Sequence, residues 1–219
     1  MDKVIYTAIF SNYENLKEPT VVQQGWRFIC YTDQPLQSDT WEIVPTAIEP
    51  GLTPQRMARK IKITYWEQWD ESLWLDASFQ VNMDLNLLWQ NYFRAPFTAP
   101  KHPLRTDVYH EIQSCIANNR GTNPDEKAQT IRELYAQEAA YKQAGVPNFG
   151  NNIITSGLLM RSKGCEELCR EWYDELCRYS VRDQVAFARV SIGREFHTFN
   201  WDYSQSKEIK YIRHYHERN

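Results

Sequence analysis

The segment Ser72-Leu73-Trp74-Leu75-Asp76-Ala77-Ser78 restricts the fold more than any other stretch of the chain. A short apolar run bounded by turn signals reads as a strand buried inside an α/β sheet. This one closes on a carboxylate, a small residue and a hydroxyl. Ligands of α/β sheets gather at the carboxyl ends of the strands. A carboxylate placed there can hold a divalent cation or a sugar hydroxyl, both of which prefer hard oxygen partners. The same aspartate can also do no more than begin a turn, so the rest of the chain has to decide.

Other strands are predicted at residues 4–10, 26–32, 41–44 and 95–99, from runs of β-branched and aromatic residues. Pro19, Gly25, Pro35, Pro45, Pro50 and Gly51 punctuate the early loops. A helix opens at Thr53-Pro54, with threonine as N-cap and proline in the first turn. Its apolar stripe is Met57, Ala58, Ile61, Tyr65 and Trp69. Arg56, Arg59 and Lys60 lie opposite, with Lys62 at the flank. Helices are also predicted over 83–89, 109–118, 123–145 and 165–179, the third opened by an Asn123–Glu126 capping box. Residues 151–160 read as a strand interrupted at Ser156-Gly157, and 195–199 as a weak strand. Ser180 and Asp183 have the spacing of another capping box. Strands and helices alternate through the first half, which predicts an α/β fold with a mainly parallel central sheet flanked by helices. No linker divides the chain, so residues 1–219 read as one domain.

Composition narrows the function classes. The net charge of −3 leaves no basic footprint for general nucleic-acid binding. Five cysteines, an odd number without a CxxC pair, indicate neither a disulfide framework nor a zinc ribbon. Cys165, Cys169 and Cys177 are read as small buried hydrophobes on one helical stripe. No run reaches membrane-spanning length and no signal peptide is visible, so a cytoplasmic location is expected.

Six short runs are more specific together than singly. They are Tyr6-Thr7-Ala8-Ile9-Phe10-Ser11-Asn12-Tyr13, Tyr31-Thr32-Asp33, Arg59-Lys60-Ile61-Lys62, Trp74-Leu75-Asp76-Ala77-Ser78, Lys101-His102-Pro103-Leu104-Arg105 and Arg182-Asp183-Gln184. In this order, and over nearly the whole chain, they resemble a glycosyltransferase-like family. Its plant members are linked to mucilage polysaccharide synthesis, and one carries an alkaline-ceramidase name. The family is similar to GT-A glycosyltransferases. The resemblance implies a single GT-A-like domain that moves a sugar from a nucleotide-sugar, UDP- or GDP-linked, to a hydroxyl acceptor.

The resemblance also implies roles. Thr7, Ala8, Tyr13 and Asp33 would meet the nucleotide base and ribose. Arg56, Arg59 and Lys62 would meet the diphosphate, arginine by forked hydrogen bonds and lysine as a point charge. Lys62, at the edge of the apolar stripe, is the one expected to point along the core toward a cleft. His102 and Arg105 would touch the donor sugar or phosphate. Asn151, Asn152, Ser156, Gly157 and Gln184 would face the acceptor. Asp183 would assist at the reacting centre, as base or as support for an oxocarbenium-like state. GT-A enzymes hold Mn2+ or Mg2+ through a DxD motif. Here Asp76-Ala77-Ser78 stands in its place, and a hydroxyl is the poorer cation ligand. Either His214 or His216 completes a metal site with Asp76, or the chain works without metal. A ceramidase-type hydrolase and a non-catalytic nucleotide-sugar binder remain the rival expectations. The hydrolase finds no HExxH or GxSxG motif to support it.

Overall fold

The computed structural model describes residues 3–21, 23–118, 124–148, 153–202 and 205–212. Its centre is a seven-stranded sheet in the order β3-β2-β1-β4-β7-β6-β8. Strands β1 (Lys3–Ile9), β2 (Trp26–Thr32) and β4 (Glu71–Leu75) are buried along nearly their whole length. That is the pattern of strands covered on both faces, and it explains why their sequences read as continuous apolar runs. β1 runs parallel to β2 and β4, and β2 runs parallel to β3 (Glu42–Pro45) at the edge. β7 (Leu158–Ser162) is antiparallel to both β4 and β6 (Phe97–Pro100), while the edge strand β8 (His197–Phe199) is parallel to β6. The expected mostly parallel α/β sheet is thus present, with one reversed strand. A separate antiparallel pair joins β5 (Phe79–Val81) to β9 (Ile209–Tyr211).

The helices cover the two faces. α1 (Pro54–Thr64) starts as the sequence predicts, with Thr53 Oγ1 accepting from Arg56 N at 3.2 Å. A 3-10 turn (Tyr65–Gln68) leads from it into β4. α2 (Leu85–Tyr92) and α3 (Val108–Ala117) are capped by Asp84 and Asp107. α4 (Pro124–Gln143), α5 (Glu166–Arg178) and α6 (Asp183–Val190) follow. Side chains alternate across a strand, so Trp74 enters one core with Tyr6, Ile61, Trp66 and Trp172, while Leu73 and Leu75 enter the other with Ile5, Trp41 and Trp89. A third cluster binds α3, α4 and α6 through Ile112, Leu134, Tyr141 and Val185. Trp172 is fully buried, and truncating a ring so placed to alanine costs about 3–5 kcal/mol.

Several local readings are corrected. Ser180 is not half of a capping box: its Oγ donates to Gln137 Oε1 at 2.6 Å, and Arg182 is the N-cap of α6. Asp183 Oδ2 is drawn to a charged cluster, while its Oδ1 accepts from Gln184 N. Asn123 lies outside the described residues. The strand over 151–160 splits: Ile154 makes an isolated bridge to Lys101, and the ladder starts only at Leu158. β5 and β9 have three residues each, too few to carry a periodic signal. Cys177 is exposed, whereas the other four cysteines are buried; all are free thiols. Among the described residues, no helix is long and apolar enough to cross a membrane.

Candidate active site

The carboxyl end of β4 assembles the site. Beyond Leu75, Asp76 N donates to Gly157 O at 2.8 Å and so extends the β4–β7 pairing by one bond. Residues two apart on a strand share a side. Trp74 Nε1 accordingly donates to Asp76 Oδ1 at 2.7 Å and fixes the carboxylate.

α1 packs over the same side of the sheet and inserts Lys62. Its side chain is 0% exposed, and its Nζ lies 2.7 Å from Asp183 Oδ2 and 3.3 Å from Asp76 Oδ1. It also donates to Ser156 Oγ at 3.2 Å. An ammonium has three donors, and all three are spent. The Trp74 ring lies 5.5 Å from the same nitrogen.

Asp183 is the first residue of α6, where the helix dipole favours an anion. Ser156 Oγ donates to its Oδ2 at 3.0 Å, Gln184 N donates to Oδ1 at 3.1 Å, and Arg59 Nε stands 3.4 Å from Oδ2. Burial raises this carboxyl, but the Arg59 and Lys62 charges and the Lys62 hydrogen bond outweigh it and hold the group well below the usual carboxylate range. Burial pulls the Lys62 ammonium down, and Asp183 and Asp76 oppose that pull. Lys62 and Asp183 are therefore a closed, charged pair. Asp76 is the open member, with 31% of its side chain exposed. Arg59 is 26% exposed, and its buried Nε has no hydrogen-bond acceptor.

The structure therefore brings Arg59, Lys62, Asp76, Ser156, Gly157 and Asp183 together. A Cβ on Gly157 would stand 2.7 Å from the Phe79 ring, while Asp76 Oδ2 would be at an ordinary contact distance of 3.5 Å, so this glycine makes room for the ring that packs beside the carboxylate. Sequence reasoning missed Trp74 as the group that orients Asp76; the two-residue spacing within a strand was the available signal.

Other predicted residues are engaged elsewhere. Arg56 ties α1 to the carbonyls of Leu176 and Tyr179 and to Glu133. Arg105 pairs with Glu111 and donates to Ser114 Oγ. His102 Nδ1 accepts from Leu104 N and Arg105 N, both at 3.1 Å. Gln184 Nε2 donates to Ile154 O at 2.7 Å. Asp33 Oδ1 accepts from Ser11 N at 2.9 Å and so shapes the turn after β1, where Ser11 and Asn12 have positive φ. Thr7 is buried with an unpartnered Oγ1, Ala8 packs against the first core, and Tyr13 is exposed. Ser78 is buried, and its carbonyl accepts from Ile212 N at 2.8 Å. Asn151, Asn152, His214 and His216 lie outside the described residues.

Toward a divalent cation the cluster offers the second oxygen of Asp76. Among the described residues no three His, Cys, Asp or Glu groups converge as a cage. Mg2+-type sites commonly take one or two carboxylates and fill the rest with substrate phosphates and water, and a single open arm fits that arrangement. A hollow of about 460 Å3 lined by Trp26, Arg27, Phe28 and Glu42 opens instead at the amino ends of β2 and β3.

A family profile described as TOD1/MUCI70, glycosyltransferase-like domain, matches residues 56–211, from the first turn of α1 to the end of β9. The chain belongs to this family, and the matched span contains every member of the Asp76 cluster. Among solved structures, the fold is similar to mouse xyloside xylosyltransferase 1 in its apo form, at 7% identity and a TM-score of 0.46, covering 92% of this chain and 84% of that one. It is also similar to apo WbbM, a bifunctional glycosyltransferase, at 15% identity and a TM-score of 0.45, covering 91% of this chain and 38% of that one. No curated protein matches the chain.

Proposed function

We propose that this protein is a GT-A-type glycosyltransferase that moves a sugar from a UDP- or GDP-linked donor to a hydroxyl acceptor. One observation carries the reading: at the carboxyl end of β4, the fully buried Lys62 clamps Asp183 and leaves Asp76 as the exposed arm of the cluster. Family membership supports transfer as the reaction class.

Within this reading, Asp76 meets the donor, directly or through Mn2+ or Mg2+. A bound cation would neutralise the diphosphate as it departs. β9 brings the chain beside the Asp76–Ser78 turn two residues before His214, through the Ile212–Ser78 backbone bond. His214 is therefore our candidate second ligand, ahead of His216. Arg59 and Lys62 stabilise charge developing on the leaving group, an electrostatic role that needs groups fixed in advance. Asp183 acts through its charge and not as the proton acceptor, because a carboxylate held this low is a weak base at neutral pH. Ser156 bridges Lys62 and Asp183 and faces the acceptor side.

The test is a thermal-shift screen of UDP- and GDP-sugars with and without Mn2+, followed by measurement of nucleotide release. A donor present at 100 times its Kd should stabilise the fold by about 2.7 kcal/mol. Asp76→Asn should remove both that stabilisation and the release while the protein stays folded. Binding and turnover that survive Asp76→Asn unchanged would refute the proposal.

A further inference from the structure

A second charged group lies beneath the site. Arg161, on β7, is fully buried, and so is Tyr6 on β1. Tyr6 stands opposite Trp74 across the β1–β4 ladder, and Trp74 stands opposite Leu159 on β7. Residues two apart on a strand share a side, so Arg161 projects to the same side of the sheet as both rings. Its Nη2 donates to Tyr6 Oη, and its Nη1 donates to Ile63 O at 3.4 Å. The guanidinium carbon lies 5.7 Å from the Tyr6 ring centroid and 5.8 Å from that of Trp66.

A guanidinium has donors only. The Tyr6 hydroxyl therefore accepts from Arg161, and its single proton is committed to Lys62 O, which it meets at 2.8 Å. Arg161 thus reaches, directly and through Tyr6, two carbonyls in the last turn of α1, where a helix presents its negative pole. Burying a charge is costly unless it is well partnered, and Arg161 Nε has no hydrogen-bond partner. The guanidinium is placed for the end of α1 and not for its own full satisfaction. The Tyr6 ring also packs edge-on against Trp74, with centroids 5.2 Å apart. Trp74 is the residue that fixes Asp76 and underlies the Lys62 ammonium.

We propose that Tyr6 and Arg161 are positioning residues of the transfer site: they pin the last turn of α1 to the sheet so that the Lys62 ammonium meets Asp183 and Asp76 together. A lysine stem is long and flexible. Its head reaches one place reproducibly only when the backbone that carries it is held as well. The acceptors Asp183, Asp76 and Ser156 hold the head, and the Tyr6 hydroxyl holds the backbone of the same residue. Both positioning side chains are sealed in the core, so they act through Lys62 and do not meet substrate. The inference rests on the reading of Lys62, Asp76 and Asp183 as the donor-handling cluster.

The experiment uses Tyr6→Phe, which keeps the ring and deletes only the hydroxyl. Urea denaturation compares its effect in the wild type with its effect in a Lys62→Met/Asp183→Asn background, where the ion pair is absent but residue 62 keeps its carbonyl. A hydroxyl that merely braces the helix shifts the urea midpoint equally in both backgrounds, and that result overturns the proposal. A hydroxyl that aligns the ammonium gives a smaller shift in the background without the pair, the non-additivity of coupled groups. Arg161→Lys, which keeps the charge but loses the planar fork, should show the same dependence. This readout needs no substrate, so it stands apart from the transferase reading. With a donor that the wild type turns over, Tyr6→Phe should lower kcat by roughly tenfold or more, as small misplacements of acting groups do. Donor KM should hold, because the ring that seats Trp74 remains. An unchanged kcat overturns the proposal. A wild type that turns over no donor, with the coupling to Lys62 present, refutes the transferase reading and leaves the alignment of Lys62 established.

Discussion

Replacing Lys62 with methionine deletes the ammonium while keeping most of the apolar stem. In the native protein the Lys62 Nζ lies 2.7 Å from Asp183 and 3.3 Å from Asp76, at 0% exposure. Removing one partner of a buried ion pair costs about 3–5 kcal/mol, because the survivor is left buried and uncompensated. Asp183 would retain Arg59 at 3.4 Å and the Ser156 hydroxyl at 3.0 Å, which places Lys62→Met at the lower end, about 3 kcal/mol. Urea denaturation with an unchanged m-value measures it. The Lys62→Met/Asp183→Asn double variant should recover part of the loss, since the stranded charge is gone. The pH dependence has a definite sign. Burial raises the Asp183 carboxyl, but Arg59 and Lys62 more than offset this, so its folded pKa lies below the unfolded value of about 3.9. Its stabilisation is complete above that value and fades as pH falls through the folded pKa. The penalty of Lys62→Met should therefore shrink in acid. A penalty below about 1 kcal/mol at pH 7, or one that stays constant into acid, would refute the clamp.

Gly157→Ala places a methyl 2.7 Å from the Phe79 ring, which is itself packed against Trp201 and Tyr211. Overpacking of this kind costs about 1–3 kcal/mol, and thermal unfolding should show it together with weaker donor binding; an unchanged melting temperature would mean that the Phe79 ring swings aside. His102 is lowered from the ordinary histidine value mainly by burial, consistent with a neutral ring whose Nδ1 accepts two backbone N–H groups. With the folded pKa below the unfolded value of about 6.5, its contribution is present above that pH and is lost as pH falls through the folded value. Comparing His102→Gln with wild type across pH 7 to 4 should show a stability gap that narrows in acid, and a gap that widens would contradict this assignment.

Local sequence determined the central strands and the first helix, because burial on both faces writes continuous apolar runs into β1, β2 and β4, and because Thr53-Pro54 caps and starts α1 without outside help. It also placed Asp76 at a strand end and Lys62 at the margin of an apolar stripe. It could not specify partners. The convergence of Lys62, Asp76, Ser156 and Asp183 depends on α1, β4, the loop before β7 and the head of α6 meeting in space. The resemblance to known enzymes named these residues, but with separate tasks and not as one closed cluster. Tertiary structure alone decided that one oxygen of Asp183 faces a lysine while the other keeps a first-turn amide of its own helix, since only the packing of α1 against the head of α6 brings the buried cation there. Tertiary structure also decided that β7 runs against its neighbours, and that Arg56 and Arg105 are consumed by carbonyls, hydroxyls and carboxylates of other elements. Periodicity records how each segment meets the core; the direction and partners of a side chain follow only from which elements pack together, and that information is spread over the whole chain.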